Sequence, residues 1–234
     1  MLIGIIGAME LEVQALKNLM DNAEVKKISS IEFYKGSING METVVAVAGV
    51  GKVNAAVCAQ TMILKYSPDI LINVGVAGGL HEDLKIGDIA VADAVVERDM
   101  DTTPIGDPKG FVSGIDMVEM ECNKTISDTL ALSAAKLEGI SVKRGIIATG
   151  DQFISTEEQR NQIISEFGAI AAEMEGASIG HVCIMNGIPF SVLRAISDGA
   201  NDDSVIDYPT FAKMAAENSI KIILEFLKNI KEEF

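Results

Sequence analysis

Residues 69–79 have the sequence DILINVGVAGG, a continuous apolar run followed at once by a glycine-rich segment. An apolar run without polar alternation is typical of a β-strand that is buried on both faces. Glycines after such a strand allow the backbone to approach a flat ligand closely. The stretch therefore predicts a buried strand at 69–74 and a tight turn at 75–79.

The segments around this stretch alternate between apolar, β-rich runs and helical patterns, which favours a three-layer αβα sandwich around a mixed, mostly parallel sheet. Asn39-Gly40 separates two β-rich runs and predicts a hairpin, so at least one strand pair is antiparallel. Strands are expected at 2–6, 31–38, 42–48, 69–74, 88–96, 142–149, 169–174 and 189–197. Helices are expected at 10–20, 53–66, 124–138, 156–166, 175–186 and 208–231.

Composition predicts one compact domain over residues 1–234, because 48% of the residues are hydrophobic. No apolar stretch approaches the roughly 20 residues of a membrane span, and no signal peptide is recognisable, so a cytoplasmic protein is expected. The net charge of −15 disfavours nucleic acids and anionic membranes as partners. We therefore expect a small-molecule ligand.

Cysteine and histidine usage predicts no metal centre. Cys58, Cys122 and Cys183 lie far apart, which favours reduced thiols over a disulfide framework. His81 and His181 belong to no zinc-binding pattern. The glycine-rich turns GIIGAM (4–9) and GVGKVN (49–54) complete neither a dinucleotide fingerprint nor a P-loop, which argues against a dehydrogenase.

Ligands of α/β sheets bind beyond the carboxyl ends of the strands, so the segments after the expected strands form the candidate site. They hold nearly every glycine cluster and several isolated acids. These segments are 7–12, 49–52, 75–79, 149–154, 173–175 and 197–203. The least regular segment, 97–115, is long enough to indicate a functional or mobile loop.

The acids in these segments need an explanation beyond helix ends and turns. Glu12 lies about 160–200° around the first helix from Glu10, so only one of the two should face solvent. Arg194 and Asp198 are four residues apart and should share a strand face. A buried arginine needs an anionic partner, for which Glu12, Glu175 and Asp198 are the candidates.

Glu173 and Glu175 lie where an expected strand passes into a helix. One of them can bind ligand hydroxyls while the other begins the helix. A carboxylate that accepts two neighbouring hydroxyl hydrogen bonds is suited to binding a ribose.

Six motifs together resemble those of the methylthioadenosine/S-adenosylhomocysteine nucleosidases, within the nucleoside phosphorylase superfamily. The motifs occur in the family's order and extend the resemblance from residue 1 to about residue 220. They are GIIGAMELEV (4–13), GVGKVNAA (49–56), GVAGGL (75–80), TGDQFI (149–154), AAEMEGA (171–177) and VLRAISDGA (192–200).

The resemblance implies a nucleoside phosphorylase-like sandwich with a mixed, partly closed sheet. It also implies hydrolysis of the N-glycosidic bond of methylthioadenosine, S-adenosylhomocysteine and 5′-deoxyadenosine, with no metal or organic cofactor. In the family, the loop corresponding to 97–115 can cross to the partner subunit, so a homodimer with this loop near the partner's pocket is expected.

The resemblance also implies roles for individual residues. Glu12 would activate the attacking water, and Asp198, oriented by Ser197, would protonate adenine at N7. Glu175 would bind the ribose hydroxyls, and Arg194 would hold the polar network. The further substrate-binding positions are Met9, Val50, Val76, Ala77, Gly78, Gln152, Phe153, Ile154, Glu173, Met174 and Tyr208.

Two departures from the family pattern leave the preference for the 5′ substituent open. Many relatives carry a hydroxyl residue at the position of Val76. Relatives often have a His-Asp pair where this chain has Arg98-Asp99.

Other functions remain as alternatives. A purine nucleoside phosphorylase would use phosphate, which the charge of Glu12 would repel. A futalosine-type nucleosidase would share the chemistry and differ in substrate. A non-catalytic nucleoside sensor is disfavoured by the complete acid–base set.

Overall fold

The structure is a computed structural model that describes residues 1–201 and 203–230. Its strands are β1 Leu2–Gly7, β2 Asp21–Ile28, β3 Ile31–Ile38, β4 Met41–Val47, β5 Ile70–Gly79, β6 Ile89–Glu97, β7 Met120–Glu121, β8 Val142–Thr149, β9 Ala171–Glu173 and β10 Phe190–Asp198. Its helices are α1 Glu10–Asn18, α2 Lys52–Tyr66, α3 Lys124–Ala134, α4 Glu157–Phe167, α5 Gly176–Asn186 and α6 Ser204–Asn229, with a 3₁₀ turn at Thr103–Ile105.

The strands form one mixed sheet with the order β10-β6-β8-β9-β5-β1-β4-β3-β2. A further pairing of β10 with β5 closes β5, β10, β6, β8 and β9 into a ring. Within the described residues, five strand pairings are parallel and five are antiparallel. The prediction of a mixed sheet is therefore confirmed, and 29 of the 48 paired positions in these pairings are in parallel register.

The predicted hairpin is confirmed, and it belongs to a larger antiparallel unit. Asn39 and Gly40 have φ values of 52° and 70°, as a two-residue type I′ turn requires, and they join β3 to β4. Strand β2, with the sequence DNAEVKKI, was not predicted. It is an exposed, polar edge strand whose one partner among residues 1–201 and 203–230 is β3, so it lacks the apolar alternation by which a strand is recognised.

Several element boundaries differ from the sequence predictions; for example, helix α3 ends at Ala134 and not at 138. Strand β5 continues through Gly79 instead of turning at 75, because its glycine-rich half pairs with β10 and β9. Helix α6 begins at Ser204, one turn before the predicted start at 208. The predicted end at Lys231, like Asp202 in segment 197–203, lies outside the described residues.

Alternate residues of the ring strands and of β1 enter two apolar clusters. Ile5 of β1 belongs to the cluster that contains residues of α1, α3 and α6, whereas its neighbour Ile6 belongs to the cluster that contains residues of α2 and α5. Five of the six helices thus form two groups that contact opposite sets of strand side chains, whereas α4 packs in a third, smaller cluster with residues of β6, β8 and β9. None of the helices in the described part of the chain has the length and apolar character needed to cross a bilayer.

Candidate active site

A cavity of about 370 Å³ lies where β1, β5, β9 and β10 end. A smaller cavity of about 30 Å³ shares part of its wall and is also lined by Gln152 and Ile154. The main cavity is lined by Ala8, Met9, Glu12, Val50, Val76, Ala77, Gly78, Phe153, Ala172, Glu173, Met174, Glu175, Ser197, Asp198, Val205 and Tyr208.

Every residue predicted for the site lines one of these two cavities except Arg194, which lies behind them and is 1% exposed. Three lining residues, Ala8, Ala172 and Val205, were not predicted from the sequence. Ala8 and Ala172 lie inside recognised motifs, next to predicted residues. Val205 was missed because the start of α6 was placed too late.

Glu12 is buried, with 2% exposure, while Glu10 on the same helix is exposed, as the helical spacing predicted. Backbone amides of Ala8 and Met9 donate to its Oε2 at 2.7 and 2.8 Å. The amide of Val76 donates to Oε1 at 3.1 Å. These three donors fix the carboxylate between the end of β1 and the end of β5.

Burial raises the pKa of Glu12, while the charge of Arg194 and the three backbone donors act in the opposite direction. A carboxylate with a raised pKa is a stronger base than an ordinary glutamate. General bases work best when their pKa approaches the working pH. The environment of Glu12 therefore suits proton abstraction.

Gly75 makes room for this carboxylate. A Cβ at Gly75 would lie 2.6 Å from Oε1 of Glu12 and 3.4 Å from Nη1 of Arg194. The sheet register places Gly75 directly beside Arg194. A side chain at this position would thus displace the Glu12 carboxylate, so the first glycine of GVAGG has a steric role.

Arg194 pairs most closely with Glu173, which was not among the candidates from sequence, and it also pairs with the candidate Glu175. Nη2 of Arg194 also donates to Asn73, while Glu175 lies further away at 3.8 Å. No ion pair with Glu12 or Asp198 is present among the described residues. The strand register shifts between Ile196 and Asp198, which breaks the even alternation on which the predicted common face depended.

Glu173 is engaged with the protein on every side. Its Oε2 accepts from the amides of Glu175 at 3.0 Å and Gly176 at 2.8 Å, and its Oε1 accepts from the hydroxyl of Thr149. Together with Arg194, these donors fix the carboxylate of Glu173, which in turn anchors the amino end of α5. Its carboxylate therefore has little capacity left for a ligand hydroxyl.

Glu175 faces the same cavity with a less occupied carboxylate. Its Oε1 accepts from the amide of Gly51 at 2.8 Å. Its Oε2 has no hydrogen-bond donor among the described residues, and Arg194 is its closest cation. Burial, followed by the neighbouring charge of Glu173, raises the pKa of Glu175 to about 7.

Asp198 is 2% exposed and lies at the end of β10. The hydroxyl of Ser197 donates to its Oδ2 at 2.9 Å, and the amide of Ala200 donates to its Oδ1 at 2.9 Å. A Cβ at Gly78 would lie 2.9 Å from Oδ1, so only glycine there leaves space for the carboxyl. Asp198 lines both the main cavity and the smaller cavity.

An aromatic pair covers one side of the cavity. The rings of Phe153 and Tyr208 meet edge to face, with centroids 5.6 Å apart. The hydroxyl of Tyr208 donates to Sδ of Met9 at 3.1 Å. Burial raises the pKa of Tyr208, so its phenol stays neutral. This side offers an apolar surface to a ligand, with Phe153 41% exposed.

The described residues contain no group of three or more histidines, cysteines or acids placed to hold a metal ion. Cys58, Cys122 and Cys183 are free thiols, and burial raises the pKa of Cys58 and Cys122 to about 12. The polar groups described at the site are carboxylates, the hydroxyls of Ser197 and Tyr208, the guanidinium of Arg194 and backbone amides.

Comparison with known proteins places the chain in a family. The family model for the phosphorylase superfamily matches residues 2–228. The 5′-methylthioadenosine/S-adenosylhomocysteine nucleosidase of Haemophilus influenzae (strain PittEE) is 38% identical over 98% of this chain and 100% of that protein.

Two solved structures share the fold. The nucleosidase of the same name from Neisseria meningitidis, in complex with methylthio-immucillin-A, has a TM-score of 0.94 and 34% identity, covering 97% of this chain and 98% of that one. Futalosine hydrolase of Helicobacter pylori strain 26695 has a TM-score of 0.91 and 35% identity, covering 97% of each chain. The chain thus belongs to the phosphorylase superfamily and, within it, to the family of 5′-methylthioadenosine/S-adenosylhomocysteine nucleosidases.

Proposed function

We propose that this protein hydrolyses the N-glycosidic bond of 5′-methylthioadenosine and S-adenosylhomocysteine, and also of 5′-deoxyadenosine. The products are adenine and the 5-substituted ribose. The observation that carries the proposal is the placement of three differently held carboxylates, Glu12, Glu175 and Asp198, around one cavity. Each has the partners that a different task in this reaction requires.

Asp198 acts on the purine. It donates a proton to N7 of adenine, so that the base leaves without a full negative charge. Ser197 orients the carboxyl through its hydroxyl, and the small cavity beside Asp198 accommodates the edge of the base. Phe153 lies along the base, and backbone groups of Gln152 and Ile154 bind its polar edge.

Glu12 acts on water. Its ionised carboxylate takes a proton from a water molecule that attacks the anomeric carbon as the ribosyl centre gains oxocarbenium character. An acid on one side of the broken bond and a base on the other is the arrangement of inverting glycoside hydrolysis. Arg194 supports the ionised state of Glu12 through its charge.

Glu175 binds the ribose. The unoccupied Oε2 accepts from the ribose hydroxyls, while the amide of Gly51 holds Oε1 in place. Met174 packs against the sugar. The role of Glu173 as a substrate contact stays a prediction. Four protein donors already bind its carboxylate, which favours a role in anchoring the start of α5.

The 5′ substituent extends along the apolar side of the cavity, against Met9, Val50 and Tyr208. The backbone at 76–78 runs beneath the sugar, where Val76 supplies no hydroxyl. These contacts are apolar, so they suit an alkylthio group.

The proposal extends to the architecture, oligomeric state and cellular location of the protein. Residues 1–234 form a single domain, and the two helix groups cover opposite faces of the sheet in a three-layer sandwich, for which the two apolar clusters are the support. The protein is a cytoplasmic homodimer in which loop 97–115 lies near the partner's pocket. It requires no metal or organic cofactor and binds neither nucleic acid nor membrane.

Adenine release tests the reaction. Purified protein is incubated with methylthioadenosine, S-adenosylhomocysteine and inosine, with and without phosphate, and free base is followed. We expect adenine from the first two substrates without phosphate. A strict phosphate requirement would establish a phosphorylase, and binding without turnover would establish a sensor.

A futalosine-type nucleosidase is the second candidate, because the chain is 35% identical to futalosine hydrolase over 97% of both chains. The chemistry at Glu12 and Asp198 would be the same, and the difference would lie at the 5′ end. Direct competition between futalosine and methylthioadenosine separates the two functions. A higher kcat/KM for futalosine would replace our first proposal with the second.

A further inference from the structure

The segment of three residues Glu97–Asp99, at the end of β6, contacts no part of the main cavity. It nevertheless holds two of the loops that form the cavity wall. We call these three residues the 97–99 clamp. Its last two residues occupy the positions where the resemblance marked a departure from the family pattern.

Arg98 holds the loop that faces the purine. It is 8% exposed, and its Nη2 donates to the backbone oxygen of Gln152 at 2.7 Å. The amide of Arg98 donates to the oxygen of Thr149 at 2.9 Å. A Cβ at Gly150 would lie 2.8 Å from Cζ of Arg98, so the guanidinium packs directly on the backbone of this loop.

Asp99 holds the same loop from its other side and connects it to a second one. Its Oδ2 accepts from the amide of Asp151 at 2.9 Å, and its Oδ1 accepts from Nζ of Lys52 at 2.6 Å. Nζ of Lys52 also donates to Glu97 at 3.2 Å. The ammonium group is therefore fixed by both ends of the clamp.

Lys52 carries the connection to the ribose carboxylate. Its amide donates to Oδ1 of Asp151 at 2.8 Å. The preceding amide, that of Gly51, is the one that donates to Glu175. One continuous set of hydrogen bonds thus joins the loop beside the purine cavity, the clamp and the donor to Glu175.

We propose that Arg98 and Asp99 are positioning residues for purine recognition, which set the place of residues 150–154 relative to Asp198 and, through Lys52, relative to Glu175. The inference rests on the proposed nucleosidase function. Neither residue touches the main cavity, so both act through the loops that they hold.

The test compares Arg98→Met, Arg98→Lys and Arg144→Met for adenine affinity and for the kcat and KM of methylthioadenosine. Arg144 pairs with Asp93 and Asp128 away from the cavity and is the matched control for a lost arginine. We expect Arg98→Met to weaken adenine binding at least 10-fold, about 1.4 kcal/mol, and to raise KM more than it lowers kcat. Arg98→Lys keeps a donor and should stay within about 3-fold of the parent.

A purely structural role would lower the melting temperature and leave the adenine affinity of the folded protein unchanged. That result for Arg98→Met, or an equal loss in Arg144→Met, would overturn the inference. If Arg98→Met does not fold, Asp99→Asn decides: a folded variant with the parent's adenine affinity would likewise overturn it. A parent protein that neither binds nor releases adenine would instead refute the proposed function, and with it the inference.

Discussion

Replacing Gly75 by alanine would displace the carboxylate of Glu12, the proposed general base, without changing any polar group. The added Cβ would lie 2.6 Å from Oε1 of Glu12, whereas carbon–oxygen contacts are normally about 3.3 Å or longer, so the carboxylate must move by about 0.7 Å. The amide of Val76, now 3.1 Å from Oε1, would lose its acceptor or hold it poorly. A hydrogen bond to a charged group contributes about 1.5–3 kcal/mol.

Misplacing a reacting group by about 1 Å can cost roughly 100-fold in rate, so we expect Gly75→Ala to lower kcat by about 10- to 100-fold. Adenine release from saturating methylthioadenosine measures kcat. The affinity for adenine should remain that of the parent, because the proposed purine position, beside Asp198, is at the other end of the cavity.

The matched control is Gly114→Ala, where a Cβ would meet no atom within 4 Å. This variant should keep the parent's kcat and melting temperature. If Gly75→Ala folds and retains the parent's kcat, then the position of the Glu12 carboxylate does not limit the reaction, and the steric argument is wrong.

Three further results are expected. Glu12→Gln should lower kcat by about 100-fold or more while adenine still binds, because only the proton acceptor is lost; near-normal turnover of the folded variant would contradict this. The midpoint of the acidic limb of the pH profile of kcat/KM should lie above pH 4.5, because Glu12 must be ionised to act as the base and burial raises its pKa. A midpoint at or below pH 4.5 would refute the role of Glu12 as the base. The pKa of Glu175 is raised to about 7, so its stabilising contribution is complete below about pH 4.5 and is lost as the pH rises through 7. Denaturant titrations between about pH 4.5 and pH 7 should therefore show that the unfolding free energy falls less in Glu175→Gln than in the parent, by up to about 3 kcal/mol. An identical pH dependence of the unfolding free energy in both proteins would contradict the raised pKa of Glu175.

Residues at the ends of buried strands were predictable because local sequence determines both the strand and the turn after it. The helical spacing of Glu10 and Glu12 was sufficient to predict that only one of the two acids faces solvent. The hairpin at Asn39-Gly40 was equally local, since its turn geometry depends on two residues that tolerate positive φ.

The closest partner of Arg194, Glu173, could not be predicted in this way. Regular alternation along β10 favoured a common face with Asp198, but the register shift after Ile196 turned Asp198 away. Glu173 was assigned to the ligand or to a helix start, and its pairing with Arg194 depends on how β9 and β10 are placed in the closed ring. That placement is a tertiary property.

Segment 49–52 was among the candidate segments, but the contacts of Lys52 with the 97–99 clamp were missed for a similar reason. Their contacts join segments about 50 to 100 residues apart in sequence, and none of them lines the main cavity. The irregular composition of 97–115 indicated a functional loop without indicating which residues it holds. Strand β2 was missed because an exposed edge strand needs no apolar side chains.

Single-turnover adenine release from methylthioadenosine in phosphate-free buffer, by the parent protein and by Asp198→Asn, tests the central claim most directly. The asparagine keeps the size of the side chain but has no carboxyl proton to give to the leaving base. We predict that the parent releases adenine and that the folded variant binds methylthioadenosine and releases adenine at least about 100-fold more slowly. Release by Asp198→Asn at the parent's rate would show that this carboxyl does not protonate the purine.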